Sequence, residues 1–498
     1  MIYNSILKSF EYPRQWVVEH QIPVPKSHPP ESEDGLRNIA KTPFLSKVFE
    51  SFLADWLLPI VEPYLDPYQF GLKGGSITHY LLRLLKFVHE HLDMRSPHAV
   101  ILATIDLSKA FNRVSHQMVL EDLYDMHVPV WLLLIIASYL TNRTMILTYN
   151  GATSSPRNLP GSSPQGAFLG IFLFIVKYNG ASMRPHIPRL TFQLNQCKQT
   201  LKKCTISGCK KHPKETHALY LDDLSEAEAI DLRKQLIKDP FKRPYPLKYH
   251  ERTGHVLSST SVLQTNMTRI ENFTKSNRMK INESKSKVMI FNMSKKYDFQ
   301  PELSFSEGGY LDCIEETRLL GIILTSDLKW GANTKAILKK AMSKMWLIRR
   351  MKGVKLDPKI ILDYYCKEIR PLAEHGVAIW NSGLTRSQIM EIEKIQKVAL
   401  KIILGDQYED YDSACAIFNI EKLSTRRKNL CVKFAVKLFR SHKSEEYFEL
   451  YQKIRDGKPK QSRLVREPIC RTTRCYYAPH SYLARLVNQN KNKIEKKE

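Results

Sequence analysis

The sequence predicts an α+β fold in which a mixed region is followed by a mostly helical one. Two short, apolar and partly β-branched runs predict buried strands, "AVILATIDL" from Ala99 to Leu107 and "RLLGIIL" from Arg318 to Leu324. Beyond Asp327 the apolar residues recur at helical spacing instead. The 498 residues exceed what one hydrophobic core usually spans, and we therefore expect two or three domains.

The N-terminal part is predicted to be irregular at first and helical afterwards. Five prolines, at positions 13, 23, 25, 29 and 30, predict irregular entry structure up to about Asp34. From Thr42 the pattern predicts a helix that places four apolar residues along one face, namely Phe44, Val48, Phe52 and Trp56. A second amphipathic helix, "SITHYLLRLLKFVHEHL", follows a break at Gly74 and Gly75.

The central part combines strands, turns and an apolar helix. Asp106 ends the strand predicted after Ala99, and Ser108 is a candidate N-cap for a helix that follows. The Asn150-Gly151 pair predicts the turn of a β-hairpin. The run "GSSPQGAFLG", from position 161 to 170, predicts a turn that leads into an apolar helix.

The remainder of the chain reads as helices with basic surfaces. A helix from Ala336 to Lys352 would bury a stripe formed by Ile337, Ala341, Met345 and Ile348. A capping box at Thr385 and a stop at Gly405 delimit another helix. The final run, "NQNKNKIEKKE", is expected to be a charged tail without core residues.

The overall composition restricts the class of partner. Lysine and arginine number 76 against 50 acidic residues, a formal charge of +26, which favours a polyanionic partner, nucleic acid first and an anionic membrane surface second. Nine cysteines without a short framework suit a reducing compartment. No secretory signal opens the chain, and its apolar runs are too short to span a bilayer. The sequence contains no phosphate-binding G-x-x-x-x-G-K-[ST] motif, so it does not indicate a P-loop ATPase.

Three carboxylates are the main candidates for chemistry. Asp106 and the pair Asp222-Asp223, in "ALYLDDLSEAEAI", each follow a short apolar run. If the two strands are neighbours, the three side chains converge, and divalent cations would offset their repulsion. Two ions about 3.5–4 Å apart can activate a hydroxyl and stabilise a leaving pyrophosphate. Taken alone, an Asp-Asp dipeptide is also typical of a solvated turn, and Asp106 of a helix start.

Further segments accompany these carboxylates in a definite order. They are "LSKVFE", "QFGLKGGSITH", "ATIDLSKAFNRVSH", "GSSPQGAFLG", "YLDD", "INESKSKVMIF" and "RLLGIIL". Together they resemble the motifs of reverse transcriptases of non-LTR retrotransposons. Downstream, "IRPLAEHGVAIWNSGLT" and "MEIEKIQKVALKIILG" are similar to stretches of jockey-like elements. The resemblance runs from about Trp16 to Arg440.

The resemblance implies a right-hand polymerase. Residues 1–98 would form an N-terminal segment and the fingers, 99–326 a palm with a small antiparallel sheet, 327–440 a helical thumb and post-polymerase region, and 441–498 a basic tail. The implied reaction extends a DNA primer on an RNA template with deoxynucleoside triphosphates. The basic helix from Ala336 would grip the phosphates of the duplex, and Trp346 is expected to anchor the core rather than to stack on a base. No membrane partner is expected, and the sequence leaves protein partners open.

The resemblance also assigns the catalytic roles. Asp106, Asp222 and Asp223 would hold two Mg²⁺ ions, with Mn²⁺ as an alternative, and the backbone carbonyl of Leu107 would add a ligand. Lys285 would protonate the leaving pyrophosphate or neutralise its charge. The alternative for Lys285 is a solvated lysine in a basic run.

Five residues are implied in nucleotide binding. Phe111 would lie against the sugar 2′ position and exclude a hydroxyl there; the alternative is a core aromatic of a helix beginning at Ser108. Gln165 and Gly166 would line the nucleotide and template pocket, although "SPQG" alone reads as an ordinary turn. Clamping of the triphosphate is assigned to Arg37 and Lys73.

The sequence also departs from the family pattern. Family members commonly carry an endonuclease domain ahead of the polymerase, and we expect this chain to lack it. The polar stretch at about 179–216 is longer than the usual connection and reads as an insertion. An alternative function is therefore a catalytically silent, basic nucleic-acid-binding relic. The sequence leaves the compartment open, and the resemblance implies the nucleus or the cytoplasm. Irregular spacing argues against zinc sites at Cys197, Cys204, Cys209 and His212, or at Cys470, Cys475 and His480.

Overall fold

The computed structural model describes residues 2–25, 36–66, 70–71, 76–94, 99–108, 110–159, 161–162, 164, 167–179, 257–293, 302–441, 444–450 and 463–495. The chain divides into two compact units. The first unit comprises Met1–Leu65 and Lys109–Met279, and the second unit comprises Asp66–Ser108 and Lys280–Glu498. The described residues are a mixture of helix and strand, as predicted. The domain bounds drawn from the sequence stay a prediction.

The strands are short and are numbered in chain order. They are β1 Val18–Pro25, β2 Leu36–Lys41, β3 Val100–Thr104, β4 Leu107–Ser108, β5 Thr144–Tyr149, β6 Ala152–Thr153, β7 Arg157–Asn158, β8 Lys280–Ile281, β9 Lys287–Phe291, β10 Asp312–Cys313, β11 Glu316–Leu319, β12 Ile322–Thr325, β13 Glu449–Leu450 and β14 Val465–Arg466.

Helices make up most of the remaining structure. They are α1 Ile2–Ser9, α2 Phe44–Val61, α3 Ile77–Leu92, α4 His116–Asp125, α5 Val130–Leu140, α6 Phe168–Asn179, α7 Leu257–Ser276, α8 Gly331–Gly353, α9 Pro358–Tyr364, α10 Val377–Trp380, α11 Arg386–Leu404, α12 Tyr411–Ile417, α13 Leu423–Phe439, α14 Ser444–Tyr447, α15 Thr473–Tyr476, α16 Pro479–Gln489 and α17 Lys491–Glu495.

The sheet of the first unit has the strand order β2-β1-β5-β6, with β7 also paired to β5. The expectation of irregular structure up to Asp34 is wrong, because α1 and β1 both precede that residue. Proline is tolerated in β1 because β5 pairs only with Val18 to Gln21. Pro23 and Pro25 lie beyond that point, where β2 alone pairs with the strand.

Helix α2 turns its predicted aromatic face to solvent. Phe44 is 77% exposed and Phe52 42%, and the Phe52 ring stacks on Trp56 with centroids 6.5 Å apart. The helix instead buries the adjacent stripe, which includes Phe49, Leu53 and Leu57. A spacing of four identifies residues that share a face, but two apolar stripes compete on this helix and the sequence alone does not rank them.

The segment around Ser108 folds differently from the expectation, whereas two later predictions are confirmed. Ser108 lies in β4, and α4 begins at His116 with Ser115 as its N-cap, so Ser108 as N-cap is wrong. Asn150 and Gly151 form the turn between β5 and β6 with φ of 48° and 83°, as the hairpin prediction requires. The apolar helix expected after the Gly/Pro turn is α6.

The second unit contains a sheet of order β10-β9-β3, in which β3 runs antiparallel to β9. The single strand expected from Arg318 to Leu324 is wrong, because this run forms the β11–β12 hairpin. Leu320 and Gly321, with φ of 51° and 89°, make its two-residue turn. Leucine rarely adopts this conformation, and the turn therefore has no clear signature in the sequence.

The helical character beyond Asp327 is confirmed. The buried stripe of α8 consists of the four predicted residues together with Asn333 and Thr334. Trp346 is 58% exposed, so the expectation of a core anchor is wrong. It follows the buried Met345 directly and is rotated by about 100° out of the buried stripe. Helix α11 begins with the predicted capping box at Thr385 and ends at Gly405.

The C-terminal run does contribute to a core, which corrects the tail prediction. Ile494 of α17, which lies within this run, belongs to the main apolar cluster of the second unit, as do Leu483 and Val487 of α16 just before the run. A single isoleucine among charged residues gave no visible helical period. Within the part of the chain that the structure describes, no helix is long and apolar enough to cross a membrane.

A buried ion pair holds the first unit together around β1 and β5. Nε of Arg143 lies 2.8 Å from Oε1 of Glu19, and both side chains are at most 1% exposed. Nη1 of Arg143 also donates to the carbonyl oxygen of Tyr139 at 2.9 Å, and Cζ of Arg143 lies 4.6 Å from the centroid of the Tyr139 ring. Removing one partner leaves the other charge buried without compensation.

Arg143→Met is therefore expected to lower the free energy of unfolding of the first unit by about 3–5 kcal/mol. The matched control is Arg466→Met, since Arg466 pairs with Glu449 at 2.9 Å while its side chain is 54% exposed. That change is expected to cost less than about 1 kcal/mol. Urea denaturation followed by circular dichroism measures both, and equal effects would contradict the role assigned to the buried pair.

Candidate functional site

Asp106 occupies the short connection between β3 and β4, and its side chain is exposed. The main chain at this position is held from both sides. The N–H of Asp106 donates to Oγ of Ser286 at 3.1 Å, and its carbonyl oxygen accepts from the N–H of Asn282 at 2.8 Å. A carboxylate that is open to solvent thus projects from a fixed backbone, an arrangement suited to holding a cation or a polar substrate.

The loop that holds Asp106 also carries Lys285. Residues Glu283–Lys285 form a 3-10 turn, and Lys285 is exposed. Ser286 is fully buried, and its hydroxyl donates to the carbonyl oxygen of Asn282 at 2.8 Å. The structure therefore brings Asp106 together with the loop of Lys285. Leu107 follows in β4 and pairs with Ile281 of β8.

Phe111 lies in a 3-10 turn, Ala110–Arg113, and is half-buried. Its ring stacks on Phe174 of α6 with centroids 4.6 Å apart and an interplanar angle of 25°. The alternative of a core aromatic on a helix starting at Ser108 is not the observed geometry, because no such helix forms. One face of the ring is covered by Phe174.

Of the other predicted site residues, the structure describes the backbone of Arg37. Arg37 lies in β2 opposite Val24 of β1. Asp222, Asp223, Gln165, Gly166 and Lys73 lie outside the described residues, as do Cys197, Cys204, Cys209 and His212. Among the residues that are described, no group of three His, Cys, Asp or Glu side chains could hold a metal ion. The convergence of the three aspartates stays a prediction.

Sequence reasoning missed a buried carboxylate beside the start of α6. Glu50 of α2 is fully buried and accepts from Ser46 Oγ at 3.0 Å. Its other oxygen accepts a longer hydrogen bond, 3.4 Å, from the N–H of Leu169 at the start of α6. Ser46 in turn contacts the hydroxyl of Tyr12 at 2.9 Å. A glutamate within an apolar stripe was the available signal, but its partner lies 119 positions away.

Comparison with known proteins identifies the class. Residues 24–226 match the family model of the reverse transcriptase (RNA-dependent DNA polymerase). This stretch of the chain is therefore similar to a reverse transcriptase domain. Over 417 residues it is 23% identical to the probable RNA-directed DNA polymerase from transposon BS of Drosophila melanogaster, an alignment that covers 82% of this chain and 40% of that protein.

Two further relatives from Drosophila melanogaster agree. The probable RNA-directed DNA polymerase from transposon X-element is 22% identical over 416 residues, covering 82% of this chain and 40% of its own length. The RNA-directed DNA polymerase from mobile element jockey is 28% identical over 192 residues, covering 38% and 20%. The resemblance to jockey-like reverse transcriptases is thus confirmed, while the chain spans about 40% of the length of the first two relatives. The expected lack of an endonuclease stays a prediction.

One solved structure overlaps broadly with this chain. It is a telomerase from Candida albicans in complex with a fragment of telomeric RNA. The overlap covers 89% of this chain and 68% of that one, with 11% identity and a TM-score of 0.31. A TM-score this low does not establish a shared fold.

Ser286→Ala is expected to loosen the main chain at Asp106. The substitution leaves the Asp106 N–H without its acceptor, so amide hydrogen exchange there should become about tenfold faster or more. The matched control on the same loop is Ser284→Ala, because the Ser284 hydroxyl is exposed and donates only to the Asn282 side chain at 2.9 Å. Exchange by mass spectrometry or NMR measures both. Unchanged exchange at Asp106 in S286A would show that another contact holds this position.

Glu50 should make stability depend on pH. Burial, opposed in part by the hydrogen bond from Ser46, raises the pKa of its carboxyl above the ordinary value of 4.5. The folded state therefore binds this proton more tightly than the unfolded chain does. The resulting stabilisation is complete below pH 4.5 and is lost as the pH rises through the raised pKa.

Glu50→Gln removes this titration, so the stability of the variant relative to wild type should rise as the pH increases above 4.5. The midpoint of urea denaturation at several pH values measures the difference. Glu62→Gln, at an exposed glutamate just after α2, is the control and should run parallel to wild type. A pH-independent difference for E50Q would contradict the assignment.

Proposed function

We propose that this protein is an RNA-directed DNA polymerase that extends a primer on an RNA template with deoxynucleoside triphosphates. The observation that carries the proposal is the match of residues 24–226 to the reverse transcriptase family, within which Asp106 stands exposed on a fixed main chain. The formal charge of +26 supports a nucleic acid as template and primer. We further propose the right-hand arrangement of fingers, palm and thumb over the ranges predicted from the sequence.

The site chemistry fits a divalent cation. Asp106 offers exposed carboxylate oxygens, which are the donors that Mg²⁺ prefers, and both polar groups of its backbone are hydrogen-bonded. We propose Asp222, Asp223 and the carbonyl of Leu107 as the other ligands. When bound, two Mg²⁺ ions would supply charge stabilisation for the attacking and leaving oxygens.

The other side chains would position the reactants. Lys285, exposed on the loop that holds Asp106, would protonate the leaving pyrophosphate or neutralise its charge. Phe111 would exclude a ribonucleotide 2′-hydroxyl. Arg37 and Lys73 would clamp the triphosphate, and Gln165 and Gly166 would line the pocket for the incoming nucleotide and the template. The rate would then arise chiefly from positioning and electrostatics.

Primer extension tests the proposal directly. With poly-A template, oligo-dT primer, dTTP and Mg²⁺, the wild type should extend the primer, whereas Asp106→Asn and Asp222→Ala should lose about a hundredfold or more in rate. Binding of template–primer, measured by anisotropy at low salt, should change little. The matched control is Asp312→Asn, an exposed aspartate of β10 paired with Lys287, which should retain activity.

The outcome also decides between an enzyme and a silent relic. A wild type that binds the duplex and extends nothing would leave only a nucleic-acid-binding function. Extension that survives Asp106→Asn would remove Asp106 from the catalytic set while leaving the polymerase assignment intact.

A further inference from the structure

A column of aromatic rings lies behind Phe111 in the first unit. Phe111 stacks on Phe174 at 4.6 Å, and Phe174 stacks on Tyr178 one helical turn later at 5.9 Å, with an interplanar angle of 14°. Tyr178 meets the edge of Phe273 of α7 at 6.4 Å. All four side chains are half-buried.

The middle of this column is held firmly. Helix α6 buries Leu173, Ile175 and Val176 on either side of Phe174. One turn further, Nζ of the fully buried Lys177 lies 2.8 Å from Oδ2 of Asp122. Asn179 donates to the carbonyl oxygen of Tyr64 at 2.9 Å. Phe174 is therefore carried by a helix whose rotation and depth are fixed.

The ring of Phe111 is carried by a shorter element than α6. It sits in a four-residue 3-10 turn, Ala110–Arg113, which has poorer hydrogen-bond geometry than an α-helix. The Phe174 ring, packed flat against it, is the described aromatic partner that limits where the Phe111 ring can lie. An offset stack of this kind has a defined geometry and contributes beyond burial of area.

We infer that Phe174 is a positioning residue that sets the discrimination between deoxynucleotides and ribonucleotides by holding the ring of Phe111. The inference rests on the proposed polymerase function and on the role of Phe111 at the sugar. A ring that excludes a hydroxyl must stay in place to within a fraction of an ångström. Loss of the backing ring lets Phe111 retreat and admits the 2′-hydroxyl.

The test measures single incorporation of dCTP and CTP opposite a template guanosine. In Phe174→Leu, which keeps an apolar side chain but no ring, the ratio of kcat/KM for dCTP to that for CTP should fall about threefold to tenfold. The change should come mainly from a lower KM for CTP. Phe174→Tyr, which keeps the ring, should preserve the ratio, and so should Phe44→Ala, an exposed phenylalanine on α2.

A double-mutant cycle shows whether Phe174 acts through Phe111. In a Phe111→Ala background, discrimination should already be low, and adding F174L should change it by less than about twofold. An equal fall in both backgrounds would overturn the inference, as would an unchanged ratio in F174L. Should F174L fail to fold, as judged by circular dichroism, Phe174→Met replaces it with the same expectations.

The failure of the proposed function can be told apart from the failure of this inference. Affinities for dCTP and CTP on a dideoxy-terminated primer require no turnover. A wild type that binds neither nucleotide overturns the proposed function and the inference together. A wild type that prefers dCTP, with the same preference in F174L, overturns the inference alone.

Discussion

The two backbone hydrogen bonds at Asp106 are the constraint on which the proposed site depends. The antiparallel register of β3 and β9 places Thr104 opposite Lys287, and the loop before β9 then closes on Asp106. Its N–H and its carbonyl oxygen are both satisfied there, by Ser286 and Asn282. Placing a carboxylate for catalysis costs less free energy when its backbone is already fixed. The loop fixes the backbone of Asp106 and leaves the side chain exposed.

The same principle recurs around α6. The helix begins directly after the run that contains Gln165 and Gly166, and Glu50 accepts a hydrogen bond from its first turn. Its next turn presents Phe174 to Phe111. Buried groups on α2 and α6 thus fix the start of α6 and the ring that backs Phe111. Rigid support behind exposed groups is what a site needs when positioning supplies most of the rate.

The sequence predicts what is local and misses what is long-range. The hairpin at Asn150-Gly151 and the capping box at Thr385 follow from the conformational preferences of neighbouring residues. The turn at Leu320 was missed because leucine is rare at positive φ. Ser286 and Glu50 were missed because their partners lie 180 and 119 positions away. Trp346 was misassigned because a bulky apolar residue predicts burial only on average.

The central claim is that Asp106 and the Asp222-Asp223 pair hold the same metal ions. Fe²⁺ substituted for Mg²⁺, with ascorbate and peroxide, cleaves the backbone within a few ångströms of a bound ion, and sequencing of the fragments locates the cuts. The account predicts cuts beside both Asp106 and Asp222, suppressed together by excess Mg²⁺ and lost together in Asp106→Asn. Cuts at one position alone, or at two positions that respond independently to Asp106→Asn, would contradict it.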